Sequence, residues 1–121
     1  MLTVLLIIID QISKTYMSHY YPELVSLNPG AAFGLPVPWQ ISFLVGVLAL
    51  AFIYFLKRQE HLKMTWYIHM FMAGTIANMI DRIWHKYVID FISIGFWPSF
   101  NLADSFLCIS IAYIIYYHLT D

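Results

Sequence analysis

Between Trp39 and Leu56 the chain reads WQISFLVGVLALAFIYFL, eighteen residues without a charge, and three more apolar stretches flank it in a sequence of only 121 residues. A transmembrane helix needs about 20 mostly apolar residues, so four of them take about 80 and leave about 40 for every loop and tail. No separate soluble domain fits beside them. The composition agrees, at 61% hydrophobic and 11% charged, against about 25% charged in soluble domains. We expect one integral membrane domain over residues 1–121, a four-helix bundle with helices at 1–20, 39–56, 64–80 and 102–119.

A formal charge of −1, from six Lys and Arg against seven acids, provides no basic surface, so nucleic acid is excluded as a partner. Cys108 is the single cysteine. In its apolar run it reads as a small buried hydrophobe, without a partner for a disulfide or a multi-Cys metal site. Three of the six basic residues, Lys57, Arg58 and Lys63, sit in one short connection, which the positive-inside rule assigns to the cytoplasm. Alternation then puts both termini in the cytoplasm and segments 21–38 and 81–101 outside. The first stretch has no basic n-region and no small-residue cleavage site, so it reads as a retained helix.

Ionisable groups inside such helices cost about 2.5–3.5 kcal/mol each and are functional hypotheses by default. Asp10 lies roughly 15 Å along the first helix, at mid-membrane depth. Lys14 follows it by four residues, the favourable spacing for an ion pair, and is expected to snorkel outward. Asp81 and Arg82 are expected at the end of the third helix, where adjacent side chains diverge toward different partners and serve to orient and cap. Gly74 with Ala73 and Ala77 forms a small-residue face for close helix approach, across which Asn78 can hydrogen-bond; mid-helix His69 reads as a hydrogen-bonded packing residue.

Asp90 and Asp104 have no cation at helical spacing. Two carboxyls brought together in apolar surroundings share one proton, the arrangement of acid proteolysis. On spacing alone two plainer readings stand beside it: a helix cap for Asp104 and a solvated interfacial acid for Asp90. No GxSxG or HExxH motif occurs and the five histidines are dispersed, so neither serine nor metal catalysis is indicated and no cofactor is expected.

Five blocks in order, Asp10-Gln11-Ile12-Ser13-Lys14, Asn28-Pro29-Gly30-Ala31-Ala32-Phe33, Asn78-Met79-Ile80-Asp81-Arg82, Val88-Ile89-Asp90-Phe91 and Phe100-Asn101-Leu102-Ala103-Asp104-Ser105, resemble signal peptidase II, the bacterial lipoprotein signal peptidase family. The match covers nearly the whole chain. The resemblance implies a multi-pass aspartyl endopeptidase of the bacterial cytoplasmic (inner) membrane, its active site toward the extracytoplasmic face. It implies cleavage of diacylglyceryl-modified prolipoproteins just before the lipid-bearing cysteine, with membrane lipid as surroundings, a monomer and no cofactor. Asp90 and Asp104 fall on the family's catalytic positions. Asp10, Lys14, Asn28, Gly30, Asn78, Asp81, Arg82, Asn101 and Ala103 fall on positions that shape the substrate pocket or hold the pair.

There are departures from the family pattern. Pro29 stands where the family usually has Thr, which removes a backbone N–H, and Ala73 and Ala77 replace two glycines. The stretches between Lys14 and Asn28 and between Asp90 and Asn101 are short, so the extracytoplasmic β-like cradle and loop are expected in reduced form. These departures leave open a homologue that binds precursors without cutting them. A small proton-coupled carrier using Asp10, Asp90 and Asp104 is the other alternative, although no inverted repeat is visible.

Overall fold

The computed structural model describes residues 1–28, 37–59 and 63–120. Helix α1 (Leu2–Tyr20) leads through a single 3-10 turn (Pro22–Leu24) into strand β1 (Ser26–Asn28). Helices α2 (Trp39–Arg58) and α3 (Trp66–His85) follow, then strands β2 (Val88–Asp90), β3 (Ile92–Ile94) and β4 (Trp97–Phe100), and finally α4 (Leu102–Thr120). The four expected helices thus occur in order, with small sheets between them. Strand β1 pairs antiparallel with β2, Ser26 opposite Asp90 and Asn28 opposite Val88. Strands β3 and β4 form a second antiparallel pair with an irregularity between Ile92 and Ile94.

Helix α3 is the centre, packing on α1, α2 and α4. Its small-residue face makes this possible: Ala73 and Ala77 are fully buried. A Cβ on Gly74 would lie 2.6 Å from the carbonyl oxygen of Ala103 and 2.8 Å from Leu107 Cγ, so α4 crosses where only hydrogen fits. His69 is held as expected, with Thr3 Oγ1 2.6 Å from its Nδ1.

Helix α3 does not end at Ile80. It continues to His85 and stops where Lys86 turns left-handed at φ 65°, its N–H returning to Arg82 O. Asp81 is therefore an interior helix residue and does not cap the end of α3, while Arg82 lies in its last turn. The physical reason is charge pairing. Asp81 has a cation from another helix, so an acid inside α3 gives the helix no reason to stop.

The molecule is polar inside and apolar outside. Its largest fully buried side chains are Lys14, Asn101, Asp10, Asp81 and Ser110, whereas Leu5 and Ile12 of α1, Leu44 and Leu48 of α2 and Ile109 of α4 are exposed. Water-soluble folds almost never bury Lys and Asp completely, and only when paired. Two expectations change accordingly. Lys14 does not snorkel but is 1% exposed, and Cys108 lies exposed on the outer face of α4 instead of in the core.

Candidate active site

The site grows from the start of α4. Asn101 precedes the helix, and its Oδ1 accepts the Asp104 N–H at 2.8 Å. Asp104 Oδ2 in turn accepts the Asn101 N–H at 3.2 Å. This is a reciprocal capping box that satisfies two otherwise orphaned helix N–H groups. The next one, from Ala103, goes at 2.8 Å to Asp10 Oδ1 on α1. Asp104 is thus a helix cap, as one plain reading had it, but its Oδ1 also accepts a bond from Asn78 Nδ2 of α3 at 3.0 Å.

Asp90 closes β2 and is 3% exposed, which does not fit a solvated interfacial acid. Asn101 donates from Nδ2 to Asp90 Oδ1 at 2.9 Å, and also to Asn78 Oδ1 and Ile89 O. One fully buried amide therefore touches Asp90 with its nitrogen and Asp104 with its oxygen and backbone. Asn28 reaches Asp90 from β1 by a side-chain hydrogen bond. Burial first, and the charge of Asp104 second, push the Asp90 carboxyl up to about 7.

Beneath the pair lies a buried ion triad. Lys14 Nζ is 2.6 Å from Asp10 Oδ2 and 2.9 Å from Asp81 Oδ2, and donates to Asn78 Oδ1 at 3.2 Å. Asp81 also accepts from the Ile89 N–H of β2 and from Gln11 Nε2. Gln11 bonds Ala77 O as well, and so ties α1 to α3 beside the triad. Sequence reasoning gave Gln11 no role; its place in the same block as Asp10 and Lys14 was the available signal.

Asp104, Asn78 and Arg82 form the polar end of a cavity of about 460 Å³ between α2, α3 and α4. Its other walls are mostly apolar, among them Ile41, Val45, Phe71 and Leu107. Arg82 lies within electrostatic range of Asp104 and Asp90. A chamber with one carboxylate, one amide and one guanidinium at its polar end and a mostly apolar remainder can take an extended peptide joined to apolar chains.

The structure thus draws Asp10, Lys14, Asn28, Asn78, Asp81, Arg82, Asp90, Asn101, Ala103 and Asp104 into one connected neighbourhood, while Gly30 lies outside the described residues. Asp10 and Lys14, read from sequence as a separate neutral pair, belong to the same network as the two aspartates. Among the described residues no three His, Cys, Asp or Glu side chains converge as a metal-holding group.

The family model for signal peptidase (SPase) II matches residues 2–120. The lipoprotein signal peptidase of Janthinobacterium sp. (strain Marseille) is 34% identical over 134 residues, covering 92% of this chain and 81% of its own. That of Chromobacterium violaceum is 34% identical, covering 94% and 86%. Both alignments are longer than this 121-residue chain, so the relatives carry insertions. Two solved bacterial membrane enzymes superpose with TM-scores of 0.83 and 0.79 at 26% identity, each over 99% of this chain and over 86% and 91% of theirs. On sequence and fold alike, this chain belongs to the signal peptidase II family.

Proposed function

We propose that Asp90 and Asp104 are the catalytic pair of a membrane endopeptidase that cuts diacylglyceryl-modified prolipoproteins just before the lipid-bearing cysteine. The chain is an aspartic hydrolase that removes signal peptides from prolipoproteins, by its family membership. The single observation carrying the residue assignment is Asn101, which donates to the Asp90 carboxylate from its side-chain amide and to the Asp104 carboxylate from its backbone N–H. Such a bridge holds two acids at close range, where they share one proton.

The surroundings divide the roles. Asp104 sits at the positive end of α4 and accepts an N–H on each oxygen, contacts that favour its carboxylate form, so we assign the negative charge of the pair to it. Asp90 keeps its proton to about pH 7. Asp104 takes a proton from water as the water oxygen bonds the scissile carbonyl carbon, while Asp90 donates its proton to the carbonyl oxygen. Collapse of the tetrahedral intermediate breaks the C–N bond, and the departing amine takes the proton held by Asp104. The carbonyl oxygen returns its proton to Asp90. The products are a free carboxyl on the signal peptide and a free amino group on the cysteine.

The remaining assignments follow. Arg82 and Asn78 orient the substrate backbone at the polar end of the cavity, and its apolar length takes the signal peptide or acyl chains. Ala103, small and fully buried beside Asp104, leaves room at the scissile bond, and Asn28 steadies Asp90. We place the chain as a monomeric four-span bundle of the cytoplasmic membrane, the site facing outside and both termini inside. Each helix has 19 or 20 residues, about 28–30 Å at 1.5 Å per residue and enough to cross the hydrocarbon core.

The test is a gel-shift assay in lipid with purified diacylglyceryl-modified prolipoprotein, comparing the intact chain with Asp104→Asn. Cleavage before the modified cysteine that is lost in the variant supports the reading. Binding without cleavage by the intact chain overturns it in favour of a precursor-binding homologue.

A further inference from the structure

The ion triad does more than neutralise charge. Two acids face one ammonium, and the three donors of that ammonium are all engaged, by Asp10, Asp81 and Asn78. Lys14 therefore has no donor left for a substrate. Each acid also holds one backbone N–H, Asp10 on the oxygen turned away from Lys14 and Asp81 on the same oxygen that pairs with it. Asp10 Oδ1 accepts the N–H of Ala103, the residue immediately before Asp104, and Asp81 Oδ2 accepts the N–H of Ile89, the residue immediately before Asp90.

We propose that Lys14 is a positioning residue that sets the separation of the two aspartates, because it clamps together two acids that each hold the peptide preceding one of them. The inference rests on the assignment of Asp90 and Asp104 as the catalytic pair. Strand β2 and the start of α4 come from different parts of the fold, and the chain of contacts Ile89–Asp81–Lys14–Asp10–Ala103 ties one to the other beneath the site. Each link is 3.2 Å or shorter, and Asp10, Lys14 and Asp81 are 0%, 1% and 1% exposed, so water does not compete for them. A third arm runs from Lys14 through Asn78 to Asp104 Oδ1. Surplus negative charge in the triad meets the positive end of α4 at Ala103.

Neutralisation alone makes a different prediction, because an uncharged set of similar shape would then serve as well. Lys14→Met by itself leaves two buried acids facing each other and risks misfolding. The decisive variant is the triple Asp10→Asn, Lys14→Met, Asp81→Asn. It removes every charge and keeps an amide oxygen opposite each peptide N–H, but loses the clamp. With full-length protein in lipid and diacylglyceryl-modified prolipoprotein, we expect the folded triple variant to lose about 100-fold in kcat with KM within about threefold, as for a small misplacement of reacting groups.

Asp10→Asn alone, which cuts one arm and keeps the Lys14–Asp81 pair, should lose about tenfold in kcat on the same grounds. A folded triple variant with wild-type kcat overturns the proposal, as does a loss carried by KM. If the triple variant does not fold, unchanged kcat in Asp10→Asn overturns it. Full activity in Asp104→Asn, measured alongside, sinks the catalytic assignment itself.

Discussion

At the residue scale, Asp90 and Asp104 differ in what their environments do to a proton. Asp90→Asn and Asp104→Asn keep size and hydrogen-bonding shape while removing ionisation, so each should reduce cleavage by at least about 10³-fold with membrane insertion intact. Asp90 makes a second, thermodynamic prediction. Folded, its carboxyl holds a proton up to about pH 7, whereas its ordinary value is 3.8. Between those values the folded state binds the more protons, so Asp90 makes stability fall as pH rises. Thermal unfolding between pH 4 and 8 should show a shallower fall in Asp90→Asn than in the wild type, and an equal slope would remove Asp90 as the buried acid. Activity should decline above about pH 7 as the shared proton is lost, which a pH profile of kcat/KM checks. The two aspartates were legible in the sequence because each sits in a short ordered block. The inward turn of Lys14 was not: spacing along one helix reveals Asp10 but is silent about Asp81, which comes from α3.

At the scale of elements, the contact of α3 with α4 decides whether the capping box at Asn101 stands where β2 can reach it. Gly74 and Gly46 separate two kinds of tightness. A methyl at Gly74 meets the backbone oxygen of Ala103 at 2.6 Å, and a backbone atom cannot turn aside. Gly74→Ala should therefore cost about 1–3 kcal/mol and shift Ala103 off Asp10, with a lowered melting temperature and reduced kcat. At Gly46 the nearest atoms are Met79 Sδ and Cγ at 2.7 and 2.9 Å, the middle of a flexible side chain. Gly46→Ala should cost less than Gly74→Ala, because the Met79 side chain can repack where the Ala103 backbone cannot. Equal losses in the two variants would refute this distinction. Helix positions were legible from apolar runs and the small-residue face from its three-residue rhythm. The end of α3 was misjudged by five residues, because a charged pair looks like a terminus until its partner is known. The strands, three or four residues each, carry too little alternation to be placed by pattern, and only the resemblance anticipated a β-like cradle.

At the scale of the whole molecule, the question is why four helices of nearly equal length differ so much in apparent affinity for a bilayer. Among the described residues α2 alone is long and apolar enough, by length and composition, to cross a membrane, and α2 contributes one buried residue, Gly46. The other three carry the polar network of the site, and its groups point inward: Asp10 and Lys14 from α1, Asp81 from α3 and Asn101 at the head of α4 are buried against one another. A hydropathy average counts these groups against the helix, although paired and buried they never meet lipid. Leu5, Ile12, Ile109 and Ile115 lie exposed on the outside, the placement that lipid-facing side chains require. All four helices should then span, with opposite ends on opposite sides. In a Cys108→Ala background, Glu23→Cys, in the exposed turn after α1, should react with a membrane-impermeant maleimide applied outside intact cells. Arg58→Cys, at the exposed end of α2, should react only after permeabilisation. Labelling of both from the same side would break the alternation, and with it the argument that inward charges hide spanning helices.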